Sequence, residues 1–187
     1  MNVDEFHSSG LVDIFGVCPV DILKVSYKSG IELKIASVLT PTQVKDQPIV
    51  QYNGDENAFY TLLLTDVDAP SKMNPAMREV RHWLVVNIPG SNVNDGETKW
   101  SYIGSGPPKD TGLHRYVFLL FKQSDGKKIF DGLPTVPNTS RKGRLKTSTQ
   151  ELMTKYNLEL IAGNFYEAEF DEYVPILQQQ LGGAPKI

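Results

Sequence analysis

The sequence predicts a mainly antiparallel β domain with its helices gathered late in the chain. Three observations carry that prediction. Strand-like apolar runs fill the first two thirds, segments rich in Pro and Gly separate them, and helix signals are confined to the last forty residues. At 187 residues, 40% hydrophobic and 22% charged, the chain is one domain by size and long enough to bury a sizeable core.

The opening Met1-Asn2-Val3-Asp4-Glu5-Phe6-His7 is polar and lacks a basic region followed by an apolar stretch, so no secretory signal is expected. Val20 to Tyr27 and Ile31 to Ile35 alternate roughly in polarity around Lys28-Ser29-Gly30, which predicts a hairpin with one wet face bearing Lys24, Lys28 and Lys34. Phe59 to Thr65, Trp83 to Ile88 and Tyr116 to Phe121 are denser apolar runs, expected as central strands buried on both faces. Between them, Ala69-Pro70-Ser71-Lys72-Met73-Asn74-Pro75, Pro89-Gly90-Ser91-Asn92 and Gly104-Ser105-Gly106-Pro107-Pro108 read as loops. Ser148 with Glu151 three residues on is a capping box, opening a helix through about Tyr156. Phe165 to Phe170 is a last short strand. Asp171 then caps a final helix that tolerates Pro175 in its first turn and ends near Leu181 with Gly182 as its stop. Gly182 to Ile187 reads as a frayed tail.

Composition excludes several classes. Net charge −3 lacks the basic footprint of a general nucleic-acid binder. The single cysteine, Cys18, rules out an internal disulfide framework and a cysteine-based zinc finger, and fits a reduced, cytoplasmic protein. No apolar run is long enough to span a bilayer. Arg141-Lys142-Gly143-Arg144 with Lys146 reads as a solvated basic loop, with weak contact to an anionic surface as the alternative.

Chemistry concentrates at strand ends. His82 and His114 precede two buried runs, and Asp66 and Asp68 follow a third. Spaced by two, the carboxylates share a face if the strand continues through them. Spacing alone leaves open that the Asp residues are turn formers and each His a satisfied structural group. A zinc site from His82, His114 and a carboxylate has no His-x-x-x-His or Cys pair behind it. A hydrolase using Ser71 or Ser105 has no Gly-x-Ser-x-Gly. A small pocket for a polar head group, with imidazoles, a Tyr hydroxyl and loop amides as donors, is the fourth reading.

Thr65-Asp66-Val67-Asp68-Ala69-Pro70-Ser71 resembles the Asp-Pro-Asp-Ala-Pro signature of the phosphatidylethanolamine-binding proteins. Gly104-Ser105-Gly106-Pro107-Pro108 with Gly112-Leu113-His114-Arg115-Tyr116 resembles that family's second signature. Leu39 to Val44, Arg78-Glu79 before His82, and Tyr173-Val174-Pro175 resemble its flanks. The likeness runs from about Leu23 to Leu181 and is strongest toward the animal members, including the Raf kinase inhibitor proteins. It implies a two-sheet antiparallel β-sandwich with C-terminal helices, and often a cis peptide at Arg78-Glu79. It also implies an anion pocket formed by Asp66, Asp68, His82, Gly106, Pro107, His114 and Tyr116. Three departures stand out: Val67 for the signature proline, which should loosen the turn, and Met77 and Gln178 where animal members carry tyrosines. A small insertion within Gln150 to Lys155 leaves Thr149 nearest to the regulatory phosphorylation serine of the kinase inhibitors.

Two aspartates beside a phosphate repel it unless one is protonated, a cation such as Arg115 or Arg78 neutralises one, or the histidines are charged. Each route makes binding depend on pH, and the expectation is an affinity that rises as pH falls from neutral toward the ordinary His value of about 6.5. The reading is a single-domain, monomeric, non-enzymatic binding protein for phosphatidylethanolamine or another phosphate-bearing ligand. It needs no cofactor or metal, binds no nucleic acid, and makes at most peripheral membrane contact. A protein kinase or serine protease is the expected regulated partner. The pocket is expected to suit a head group alone, since no long apolar groove is legible. The alternatives are a hydrolase using the same residues and a partner-binding scaffold with a vestigial pocket.

Overall fold

The computed structural model describes residues 3–183. The opening Met1-Asn2 and the end of the expected frayed tail, Ala184 to Ile187, lie outside the described residues. The centre of the molecule is a seven-stranded sheet. Its main path runs β1 (Asp21–Ile22), β9 (Leu158–Ala168), β8 (His114–Gln123), β5 (Phe59–Asp66), β6 (Val80–Pro89), β7 (Glu97–Trp100), and β3 (Ser37–Val38) joins β9. The pairings among β5 to β9 are antiparallel, while β1 and β3 lie parallel to β9. A second sheet pairs β2 (Lys24–Ser26) with β4 (Ile49–Gln51).

The dense apolar runs are central strands, as expected, because both faces of the large sheet are covered. Leu62, Leu64, Tyr116, Phe118 and Leu120 face Leu23, Val25, Leu39, Val44 and Val50 on the small-sheet side. Leu63, Val117, Leu119 and Phe121 face the opposite way, onto Phe6, Leu11, Phe15, Leu152 and Tyr156. Alternate residues thus enter separate cores, and the polar residues of these strands, such as Thr61, Asn87 and Gln123, are buried and hydrogen-bonded to one another or gathered at the strand ends. Helices α1 (Asp4–Ser8), α2 (Leu11–Phe15) and α3 (Thr149–Tyr156) supply the second cover.

Four expectations need correction. The segment Val20 to Ile35 is a hairpin only near its turn, where Tyr27 N donates to Ile31 O and Leu33 N to Val25 O. Asp21–Ile22 joins the large sheet, the chain crosses at Leu23, and Lys24–Ser26 joins the small sheet. The turn at Tyr27 to Gly30 forms, but only the Ser26–Glu32 bridge extends it, because the chain then leaves to run beside β9. The polar N-terminus contains two helices, with Phe6 packed edge-on against Phe165 at 5.5 Å. The last strand begins at Leu158, seven residues early. Gly163 and Asn164 interrupt its pattern because Gly163 makes room for the Phe6 ring, and buried Asn164 donates to Leu23 O and Leu33 O. The final helix, α4 (Val174–Gln180), starts after Tyr173. Asp171 instead accepts from Tyr173 N and Thr42 N through its carboxylate. The capping serine is where expected: Ser148 Oγ accepts from Glu151 N at 3.2 Å.

Candidate functional site

Antiparallel pairing brings the end of β5 beside the starts of β6 and β8. Asp66 lies opposite Val80 on one side and Tyr116 on the other. Residues expected at strand mouths therefore meet at one end of the sheet. Around them close the loop 67–79, containing cis peptides at Ala69–Pro70 and Arg78–Glu79, the loop 101–113, the loop 137–147, and α4. Together they enclose a cavity of about 350 Å³.

Five of the seven expected residues line it: Asp66, His82, Gly106, His114 and Tyr116. Asp66 Oδ1 accepts from Asp68 N at 2.7 Å, and Oδ2 meets His114 Nδ1 at 2.9 Å. His114 Nε2 lies 2.9 Å from Thr111 Oγ1, whose own proton goes to Pro108 O. Sequence reasoning missed Thr111, since a threonine in a loop carries no signal of its own.

His82 is the third residue of β6. Its Nδ1 donates to Ile103 O and Gly104 O, at 3.2 and 3.0 Å, so a neutral ring presents the Nε2 lone pair to the cavity. Burial pushes its pKa down to about 4; the nearby Asp66 opposes this and Arg144 adds to it. The Tyr116 ring stacks on Tyr166 at 5.2 Å and takes the His82 ring edge at 5.1 Å. Its hydroxyl is buried near Gly106 N–H and Ser105 but makes no hydrogen bond of good geometry among the described residues. Burial, and secondarily Asp66, hold that hydroxyl protonated well above the ordinary tyrosine range. Gly106 lets α4 approach closely, since an added Cβ would stand 2.9 Å from Leu177 Cδ2 and push that side chain aside.

Asp68 and Pro107 do not line the cavity. Asp68 is fully buried behind it and accepts from Arg115 N, Nε and NH2 at 2.9, 2.7 and 2.6 Å, and from Arg78 NH2 at 3.3 Å. Burial acts to raise its pKa, but the bonds and charge of Arg115, with Arg78, outweigh that and hold it below the usual carboxylate range. The two carboxylates do not share a face, because the strand ends at Asp66 and the Asp66 side chain turns the chain there. Val67 does not loosen this turn. It is buried in the second core, and its N–H donates to Arg115 O, a bond proline cannot make. Pro107 is buried, and Pro108 takes its place on the wall.

The basic loop is not simply solvated. Arg144 is fully buried and donates to the carbonyls of Ser140, Arg81, His82, Ser101 and Pro137, with no carboxylate partner among the described residues. Arg141 reaches the cavity rim, where its NH2 bonds Gln178 Oε1 at 2.6 Å and Gly183 O at 2.7 Å. Lys142 and Lys146 are the exposed members. Neither serine weighed as a nucleophile pairs with a histidine: Ser105 Oγ bonds Tyr166 OH at 2.7 Å, and Ser71 Oγ accepts from Asn74 N. Thr149 is buried, and its hydroxyl donates to Glu79.

The sequence model of the phosphatidylethanolamine-binding protein family matches residues 41–166. The chain belongs to this family. It is 37% identical over 166 residues to the putative odorant-binding protein A5 of Drosophila melanogaster, covering 88% of this chain and 78% of that one. Among solved structures it resembles a carboxypeptidase Y inhibitor, determined in complex with its cognate proteinase. The identity is 28% and the TM-score 0.76, with 90% of this chain and 95% of that chain covered. A phosphatidylethanolamine-binding protein from Plasmodium vivax shares the fold at TM-score 0.75 and 22% identity, over 91% and 98% of the two chains. The mainly β, two-sheet architecture is thus that of the phosphatidylethanolamine-binding family. Among the described residues, no helix is long and apolar enough to cross a membrane.

Proposed function

We propose that this chain is a non-catalytic, monomeric, cytoplasmic binding protein. Its end-of-sheet cavity takes a phosphate-bearing group, such as the phosphatidylethanolamine head group, and occupancy regulates a protein partner of the serine protease or kinase class. The observation that carries the reading is the set of unmatched polar groups at the cavity. Among the described residues the Tyr116 hydroxyl makes no hydrogen bond of good geometry, the His82 Nε2 lone pair faces inward, and the Arg141 guanidinium on the cavity lining has no carboxylate partner. A buried donor without a partner costs about 1–3 kcal/mol, which a ligand oxygen recovers. Similarity to a proteinase inhibitor and to a protein named for odorant binding supports a binding role over a catalytic one.

The His82 geometry specifies how pH enters. The ring stays neutral until about pH 4, so it meets the ligand as an acceptor. A phosphate monoester monoanion can donate its remaining P–O–H to Nε2, whereas its dianion, like the phosphodiester of an intact phosphatidylethanolamine, presents only lone pairs. The second phosphate pKa is about 6, so the monoanion fraction rises roughly 20-fold between pH 7.5 and 5.5. Affinity for a phosphate monoester therefore rises as pH falls, through protonation of the ligand and not of His82, while a phosphodiester head group shows no such rise.

The test is an NMR titration with phosphoethanolamine at pH 7.5 and 5.5, on the wild type and on His114→Ala. Shifts at Asp66, His82, Gly106 and Tyr116 that strengthen at the lower pH and vanish in the variant are expected. No shifts at millimolar ligand would refute the head-group reading and favour the partner-binding scaffold. A pH-independent affinity would remove the acceptor role of His82.

A further inference from the structure

The cavity is larger and more apolar than a head group requires. Met77, Val80, Ile103, Leu145, Leu177 and Leu181 form its walls, drawn from the loop 67–79, β6, the loop 101–113, the loop 137–147 and α4. Its polar groups are gathered at Asp66, His82, His114 and Tyr116 at one end and at Arg141 and Gln178 at the rim. At roughly 30 Å³ per water-sized volume, about 350 Å³ accommodates on the order of a dozen non-hydrogen atoms. A phosphate group uses five, which leaves room for about six or seven carbons.

We infer that the cavity encloses the apolar body of a small single-chain amphiphile, with its acidic head at the His82–Tyr116 end and an alkyl or aryl body of roughly six carbons against the walls. This rests on the head-group reading above and extends it from a head group to a whole small molecule. Charge favours an acidic head. Asp66 is bonded to His114, while among the described residues the guanidinium groups of Arg141 at the rim and Arg144 behind His82 meet only carbonyl or amide oxygens. Size favours a free amphiphile over a two-chain lipid, whose tails exceed the cavity several-fold. Closure favours it too, because α4 forms a wall and Arg141 ties it to the loop 137–147 through Gln178 and Gly183. Met77 and Gln178, which stand where animal relatives were expected to carry tyrosines, both line this space. The Met side chain there is flexible and apolar, suited to an adaptable wall.

The experiment is calorimetric titration of methyl, butyl, hexyl and dodecyl phosphate, with hexanol and phosphatidylethanolamine vesicles as comparison probes. Affinity should climb by about fourfold per methylene, as buried CH₂ groups do, and level off near hexyl. Met77→Trp, with Leu145→Trp as a second filling variant, should weaken hexyl phosphate at least tenfold more than methyl phosphate. Urea unfolding checks that each variant is folded. Methyl phosphate binding with no chain-length dependence overturns the enclosed-body inference while leaving the head-group reading intact. Hexanol binding as tightly as hexyl phosphate overturns the acidic head. Affinity that keeps rising to dodecyl, or binding to vesicles in preference to free hexyl phosphate, overturns the enclosed small amphiphile in favour of a membrane lipid. No binding by any probe removes both readings.

Discussion

Replacing Asp68 by Asn separates the fold's use of this signature from the ligand's. The carboxylate is fully buried and receives four donors, three from Arg115 and one from Arg78. An amide retains one acceptor oxygen but turns an NH₂ group toward a guanidinium. Arg115 is itself nearly buried, so its charge loses its main counterpart without reaching water. Removing one partner of a buried pair costs about 3–5 kcal/mol. The lower end applies here, since Asn keeps one acceptor and the Arg78 side chain is 30% exposed. With a urea slope of about 2 kcal/mol/M for a domain of this size, 3 kcal/mol lowers the unfolding midpoint by about 1.5 M.

The pH dependence has a definite sign. The folded-state pKa of Asp68 lies below its ordinary value, so its contribution is complete above the unfolded value of about 3.9. It is lost as pH falls through the folded-state pKa. The gap between wild type and Asp68→Asn should therefore be constant from pH 7 to 5 and close in stronger acid. Where the variant is folded, phosphoethanolamine should bind within about twofold of wild type, because Asp68 lies behind the cavity. A midpoint shift below about 0.3 M would refute the clamp. Loss of binding with stability retained would return Asp68 to the ligand site.

Two further substitutions probe the same end of the sheet. Arg144→Met strips five carbonyls of their common donor and should cost about 3–5 kcal/mol, while Arg144→Lys, with three donors and the same charge, should recover part of it; equal unfolding midpoints for the two variants would show that the donors do not matter. Thr149→Ala removes the hydroxyl that Glu79 accepts from and should cost about 1–3 kcal/mol in urea unfolding. The same burial predicts that a kinase acting on a free peptide spanning Thr149 leaves the folded chain unmodified by mass spectrometry, and efficient modification of the native protein would show that α3 opens at its start.

The central strands and the strand-end site were legible because each rests on local signals. Dense apolar runs mark strands covered on both faces, and turn-rich loops mark their ends. The first helices were not legible, since α1 and α2 are five residues each and derive their stability from packing Phe6, Leu11 and Phe15 onto the sheet. The hairpin expected before Ile35 stops near its turn for a related reason. Val25 and Leu33 both enter the core on the small-sheet side, which alternation shows, but the crossing at Leu23 depends on β9, more than a hundred residues away. At the site, residue identity could indicate chemistry but not direction. Asp66 and Asp68 read alike in sequence, and so do Arg141 and Arg144. Likewise the apolar walls come from five separate segments, none of which is a groove by itself.

Those look-alike pairs explain how a carboxylate-rich signature can serve an anion site. One aspartate of the two is neutralised by Arg115, which also bonds Ser9 O and so ties the N-terminal helices to the strand that carries His114. The other stays at the cavity, where His114 is its partner. One arginine of the basic loop is buried and organises the loop around His82 through main-chain carbonyls; the other remains at the rim. In each pair one member lies behind the cavity and organises its frame, and the other lines the cavity. The local charge balance among the described residues then follows from geometry: Asp68 has two guanidinium partners, Asp66 an imidazole, and the two loop arginines no carboxylate. The uncompensated charge at this end of the sheet is positive although the whole chain carries −3, so an acidic ligand is attracted locally by a protein that repels it at long range. Screening by salt acts mainly on the long-range repulsion, since the contacts inside the cavity are shorter than the Debye length. Association should therefore quicken as salt is raised from low ionic strength, the reverse of the behaviour of a basic surface patch.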